Sequence, residues 1–217
     1  MALGSAAVCY TLSTVGSASK AQVYDDRKPM PTLCLPVPVR YWSSPHFSPG
    51  RRCPVDMVVI HAISLPPGVF ATGHIVELFM GKLDARAHPS FAELKGLRVS
   101  AHFLIERDGS INQFVDTEDT AWHAGVSEFQ GRQGCNDFSV GVELEGDQQT
   151  PFAEPQYQAL ELLLRALMET YPAITPDRVV GHSHVAPGRK WDPGPKFDWG
   201  RLARMLRRIR PAPREGI

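Results

Sequence analysis

The stretch "FSVGVELEG", residues 138–146, decides the architecture. Val140, Val142 and Leu144 alternate with Gly141 and Glu143, which is the two-residue period of a β-strand. Within 138–144 the oddity is Glu143, a carboxylate in an otherwise apolar run. A second strand reads from Met57-Val58-Val59-Ile60, a continuous apolar run that suits a buried strand ending at His61. "RVVGHS" (178–183) is a third, opening onto His182. "SAHFLIERDGSINQFV" (100–115) reads as a hairpin turning at Asp108-Gly109, a type I′ pair. In "EPQYQALELLLRALMETY" (154–171), Leu160, Leu163, Leu164, Leu167, Met168 and Tyr171 share one helical face, and Pro172 closes the helix. "FDWGRLARMLRRI" (197–209) reads as a final amphipathic helix, and a short helix is expected from about Gly73 to Met80.

These elements suit one α/β domain, and a chain of 217 residues is long enough to bury a sizeable core. Residues 1–35 lack a sustained period and read as a weakly ordered extension. The domain is expected over 36–210, with a flexible tail at 211–217. The proline-rich segment 31–54 reads as irregular chain wrapping the surface. Lys+Arg and Asp+Glu are both 23, which gives no reason to expect nucleic acid or an anionic membrane as partner. No apolar run reaches the roughly 18 residues of a membrane span. Cys9, Cys34, Cys53 and Cys135 form no C-x-x-C pair and read as unpaired thiols of a reducing compartment. With no Lys or Arg before Lys20 there is no basic n-region of a secretory signal, so the cytoplasm is expected.

The chemistry gathers where strands end. His61 and His182 leave two of them, Glu143 sits on another, and "GHSHVAPGRKWDPGP" (181–195) adds Lys190 and Asp192. Two imidazoles and one carboxylate are a three-ligand set for catalytic zinc, which leaves a position for water. The metal would bring the pKa of that water to about 7. Glu143 is then the candidate proton acceptor, and Lys190 the candidate cation for an oxyanion. On spacing alone a second reading stays open: His61 caps a strand, His182 fills a polar pocket, and Asp192 turns a proline loop. His184 is expected to point elsewhere, His102 to be a satisfied core histidine, and His46, His74 and His88 to be solvated. Glu145, two residues after Glu143, is a neighbouring carboxylate or an alternative base.

"VVIHAISLPPGVF", "HPSFAELKGLRVSAHFLIERDGSINQFV", "AWHAGVSEFQGRQGCNDFSVGVELEG", "YQALELLLRALMETYP" and "GHSHVAPGRKWDPGPKFDW" resemble the zinc N-acetylmuramoyl-L-alanine amidases, from about residue 45 to about 203. That family also includes phage lysozyme-like amidases and peptidoglycan recognition proteins. The resemblance implies a single domain with a mixed β-sheet flanked by helices and a zinc groove on one side. It implies His61, His182 and Asp192 as Zn²⁺ ligands, Glu143 as general base and Lys190 as transition-state cation. It places Arg98, Trp122, His123, Asn136 and Asp137 along the substrate groove, although Trp122 reads equally as core. The implied reaction is hydrolysis of the amide between the lactyl group of 1,6-anhydro-N-acetylmuramic acid and L-alanine, in cytoplasmic wall recycling, with an indirect effect on β-lactamase induction. An anhydromuropeptide substrate and a monomer are expected. An exported amidase of broad specificity is the alternative, and a non-catalytic binding module is disfavoured because all five site residues are kept. The chain departs from the family pattern at Ala62, Ser90, Gly134 and Trp191, which puts substrate grip in doubt.

Overall fold

The computed structural model describes residues 32, 33 and 35–209. Six strands form one mixed sheet: β1 (Val39–Tyr41), β3 (Met57–Ile63), β4 (Phe103–Ile105), β5 (Ile111–Gln113), β9 (Ser139–Glu145) and β10 (Val179–Gly181). Two small antiparallel pairs lie outside it, β2 (Phe47–Ser48) with β6 (Thr120–Ala121) and β7 (Glu128–Phe129) with β8 (Arg132–Gln133). The order in the main sheet is β1-β5-β4-β9-β3-β10. β4, β9, β3 and β10 are mutually parallel, β5 turns antiparallel to β4, and β1 runs parallel to β5. The mixed sheet is as expected.

Every residue of β9 is buried, as a central strand covered on both faces requires. On one face Val140, Val142 and Leu144 meet Val58 and Ile60 of β3 beneath two helices, α2 (Glu154–Thr170) and α4 (Trp199–Arg208). The expected face of α2 supplies Leu160, Leu163, Leu164, Leu167 and Met168 to this core. On the other face Met57 and Val59 pack against Phe138, Val180 and Val185, the last on the short helix α3 (His182–Val185). A separate apolar cluster on Leu104, Phe91 and Phe114 lies under α1 (His74–Phe79).

Several boundaries differ from the sequence reading. β3 runs on to Ile63, so His61 lies within the strand. The hairpin is present, but Gly109 has φ 86 while Asp108 stays in the negative region, so the turn is not type I′. Gly109 N–H bonds Glu106 O at 2.9 Å, and the Asp108 carboxylate accepts from Ser110 N–H at 2.8 Å. The segment read as irregular contributes β1 to the sheet edge. Leu33 and Leu35, assigned to the extension, are buried in the main core, so the packed chain reaches back to residue 33. The rest of the proposed extension and the 211–217 tail lie outside the described residues, as do Cys9 and Cys34. Among the described residues no helix is long and apolar enough to cross a membrane.

Gln156 ties the two layers together. It is fully buried; its Nε2 donates to Ile105 O at 3.2 Å and Glu145 O at 2.9 Å, and its Oε1 accepts from Ala153 N–H at 2.9 Å. One side chain thus caps α2 and closes the ends of β4 and β9. Replacing it strands buried backbone groups, each worth roughly 1–3 kcal/mol. Gln156→Ala is expected to lower unfolding stability by about 2–3 kcal/mol in urea titration. A loss below about 0.5 kcal/mol would mean that water enters to replace it.

Candidate metal centre

Strand register assembles the site. β3 and β9 pair in parallel with His61 opposite Glu143 and Val59 opposite Gly141. Register partners share a face, so both polar side chains emerge opposite α2. β10 pairs Gly181 with Ile60, which brings His182, the next residue, alongside His61. The chain can cross there because residue 181 is glycine: a Cβ would sit 2.7 Å from Pro193 Cδ. Ser183 N–H then bonds Asp192 O at 2.9 Å, folding the proline loop back so that the aspartate meets the two histidines.

His61, His182 and Asp192 are all buried. His61 Nδ1 lies 2.9 Å from His182 Nδ1 and 3.1 Å from Asp192 Oδ2, and the last two atoms are 3.0 Å apart. His182 Nε2 lies 3.1 Å from Ala124 O, which can only accept, so the proton of this ring is on Nε2 and Nδ1 is a bare lone pair. Two nitrogens and a carboxylate oxygen facing each other at hydrogen-bond distance need a positive charge between them. A proton supplies it poorly at neutral pH: burial, first of all, takes His61 down to about 4 despite the hydrogen bond to Asp192, with His182 adding to the lowering. Imidazole nitrogens and a carboxylate are ligands of a borderline metal ion, and the three residues form a group able to hold one. The outer nitrogen of His182 is anchored on a carbonyl, as the outer nitrogens of metal-bound histidines are.

Glu143 is buried and its Oε2 has no hydrogen-bond partner. Burial raises its pKa well above the ordinary carboxylate value; the Asp192 charge adds to this and Lys190 opposes it. A carboxyl poised high beside a cation site, with one oxygen uncommitted, can accept a proton and give it back. Lys190 is exposed on the loop next to the site, and its backbone N–H holds Ala186 O at 3.0 Å.

The five expected groove residues separate. Arg98 is exposed and lies over the Trp122 ring at 5.1 Å. Trp122 is also stacked with His46 at 6.3 Å and donates to Ser48 Oγ at 3.1 Å, so it serves as a support for Arg98. Asn136 Oδ1 accepts from His123 N–H at 3.2 Å and Ala124 N–H at 2.8 Å, which commits it to holding the backbone. Asp137 faces Arg52 at 3.9 Å. Both His123 ring nitrogens are engaged inside the protein, with His61 and Ser139.

Among the other candidates, Glu145 is no alternative base: its oxygens accept from Ala71 N–H at 2.6 Å and Arg107 N–H at 3.1 Å, pinning two loops. His184 turns away and accepts from Gly181 N–H at 3.0 Å. His102 is the satisfied core histidine expected, between Gly141 N–H at 3.0 Å and Asp119 O at 3.1 Å. His46 is buried rather than solvated, with Nδ1 donating to Val99 O at 3.1 Å. Sequence reasoning missed Ala124 O, Ser139 and Arg189, whose guanidinium donates to Ala124 O and Val126 O at 2.6 Å each. A carbonyl oxygen carries no sequence signal, and Arg189 beside Lys190 read only as part of a polar loop.

A sequence profile of the N-acetylmuramoyl-L-alanine amidases matches residues 51–195. The chain belongs to this family. It is 54% identical over 164 residues to the 1,6-anhydro-N-acetylmuramyl-L-alanine amidase AmpD of Haemophilus influenzae, covering 75% of this chain and 89% of that protein. The AmpD of Escherichia coli K12 is 52% identical over 161 residues, covering 73% and 87%. A crystal structure of a selenomethionine AmpD derivative superposes with a TM-score of 0.75 at 48% identity, covering 77% of this chain and 94% of that one. A complex of E. coli AmiD with anhydro-N-acetylmuramic acid-L-Ala-D-gamma-Glu-L-Lys superposes at 0.52 with 32% identity, covering 70% and 57%. The chain is thus a hydrolase of the amidase family, with that family's mixed α/β fold.

Burial also holds His102 and His123 well below the ordinary histidine value, in both cases as the largest cause. The unfolded chain therefore binds protons that the folded one refuses. The stabilisation is complete above pH 6.5 and is lost as pH falls toward about 4, by about 3 kcal/mol from His61 alone. Urea midpoints of the metal-free amidase are expected to drop steadily from about pH 6.5 to about pH 4.5. A level midpoint across that window would mean that the rings are not held neutral.

Proposed function

We propose that this amidase hydrolyses the amide between the lactyl group of 1,6-anhydro-N-acetylmuramic acid and L-alanine in recycled wall fragments, as a zinc enzyme. The observation that carries the reading is the buried triangle of His61, His182 and Asp192 with the uncommitted oxygen of Glu143 beside it. The AmpD relatives, similar over most of the chain, supply the substrate class.

His61 and His182, through Nδ1, and Asp192, through Oδ2, would hold the zinc. When bound, the ion would supply Lewis acidity at this point and bring the pKa of water toward neutrality. Glu143 takes the proton from the attacking water, through the oxygen that has no partner in the protein, and returns it to the nitrogen of the departing alanine. Lys190 offers its ammonium to the negative charge that develops on the attacked carbonyl oxygen. Arg98, held over Trp122, meets a polar or anionic group of the substrate. His123, Asn136 and Asp137 shape the groove from behind. The free thiols Cys53 and Cys135 support a cytoplasmic setting.

The test is release of free tripeptide from anhydromuramyl-tripeptide and, in parallel, from muramyl-tripeptide without the anhydro bond, followed by mass spectrometry. Chelator-sensitive release from the anhydro substrate alone is expected. Equal release from both would favour an enzyme of polymeric wall, and none from either, with zinc bound, would refute the reading. Glu143→Gln is expected to keep zinc and lose about 10²–10⁴-fold in kcat. Near-normal turnover by that variant would take the proton-transfer role from Glu143.

A further inference from the structure

We propose that His123 is a positioning residue: through His61 it decides which imidazole nitrogen faces the metal, by a chain of hydrogen bonds that starts at a backbone carbonyl. The inference rests on the metal reading above. Cys135 O can only accept, and Ser139 Oγ lies 2.5 Å from it, so the serine proton points there. The other partner of Ser139 Oγ is His123 Nε2 at 3.3 Å. With its own proton committed, the oxygen accepts, and Nε2 carries the proton of the His123 ring. Nδ1 of His123 is then a bare acceptor, 3.0 Å from His61 Nε2. His61 must donate from Nε2, which leaves its Nδ1 without a proton and facing His182 Nδ1 and Asp192 Oδ2. The polarity of the whole chain follows from the one short serine–carbonyl contact.

The ring that relays this polarity is held from three sides. His123 N–H and Ala124 N–H both rest on Asn136 Oδ1. The ring lies on Gly141, where any Cβ would collide with it. It meets His61 edge-on, with centroids 5.1 Å apart at 85°. Ser139, Gly141 and Glu143 alternate along one strand, so β9 carries on a single face the origin of the relay, the floor under its ring and the proposed base. No ring nitrogen of His123 is left for a substrate.

Zinc affinity by chelator competition, together with ring ¹⁵N spectra of His61 in the metal-free protein, tests this. Asn places an acceptor oxygen close to where Nδ1 sits; Ala places nothing. His123→Ala is expected to lose about 10–100-fold in zinc affinity, whereas His123→Asn stays within about threefold of wild type. In metal-free wild type the His61 proton is expected on Nε2, and both tautomers are expected in His123→Ala. Ser139→Ala, which removes the anchor without touching the ring, is expected to mix the tautomers too. Unchanged affinity in His123→Ala would overturn the proposal. So would equal losses in the Ala and Asn variants, which would mean packing alone, or a wild-type His61 proton on Nδ1. Thermal melts check folding; if His123→Ala does not fold, His123→Asn and Ser139→Ala decide. If wild type binds no zinc, the metal reading fails, and the His61 spectra alone judge the relay.

Discussion

Three electron-pair donors pressed to within about 3 Å of one another, out of water, are the constraint around which this fold is organised. Left alone, the arrangement repels itself. It is held because each donor is fixed from behind by something that cannot move. His61 sits inside a fully paired strand, His182 is tied to Ala124 O, and Asp192 is on a loop closed by Ser183 N–H. Rigidity around a strained donor set is what lets a metal ion bind without reorganising the protein.

That rigidity comes from the opposite face of the sheet. The apolar residues of β3 and β9 that alternate with the site residues are clamped under α2 and α4. Gln156 locks the start of α2 to the ends of β4 and β9. Because the period of a strand is two, each methylene buried beneath α2 also aims a neighbour at the site. A slip of one residue between β3 and β9 would separate His61 from Glu143 and turn one of them into the core, so register and function are the same specification.

The strands, the long helix and the gathering of His61, His182 and Asp192 were legible because their signals are local: a period, an odd carboxylate in an apolar run, histidines following apolar strand runs. The roles of the surrounding groups were not. The resemblance places Trp122, Asn136 and His123 along the groove, yet their partners come from elsewhere in the chain: His46 and Ser48 for Trp122, His61 and Ser139 for His123, and the backbone of residues 123 and 124 for Asn136. Glu145 has the same spacing logic as Glu143 and a different fate, since two loops return to claim both its oxygens. The β1 edge strand was hidden by prolines, and Leu33 and Leu35 by the featureless stretch before them. The relay proposed for the His61 proton starts at Ser139, a residue that carries no signal of its own in the sequence.

The four positions read from the sequence as departures from the family pattern sort by the same logic. Ala62 is buried with the core beneath α2, on the face opposite His61, so its side chain does not face the His61–His182–Asp192 cluster. Gly134 has φ 71, a conformation that glycine adopts without strain and a basic residue would not. Ser90 is exposed at the start of a short 3₁₀ segment, its Oγ 2.8 Å from His88 Nδ1. Trp191 differs from all three. The residue is 42% exposed, its ring lies against Gly194, and it neighbours Asp192. Of the four departures, it is the one that leaves apolar surface open at the rim of the site, where a muropeptide would have to pass.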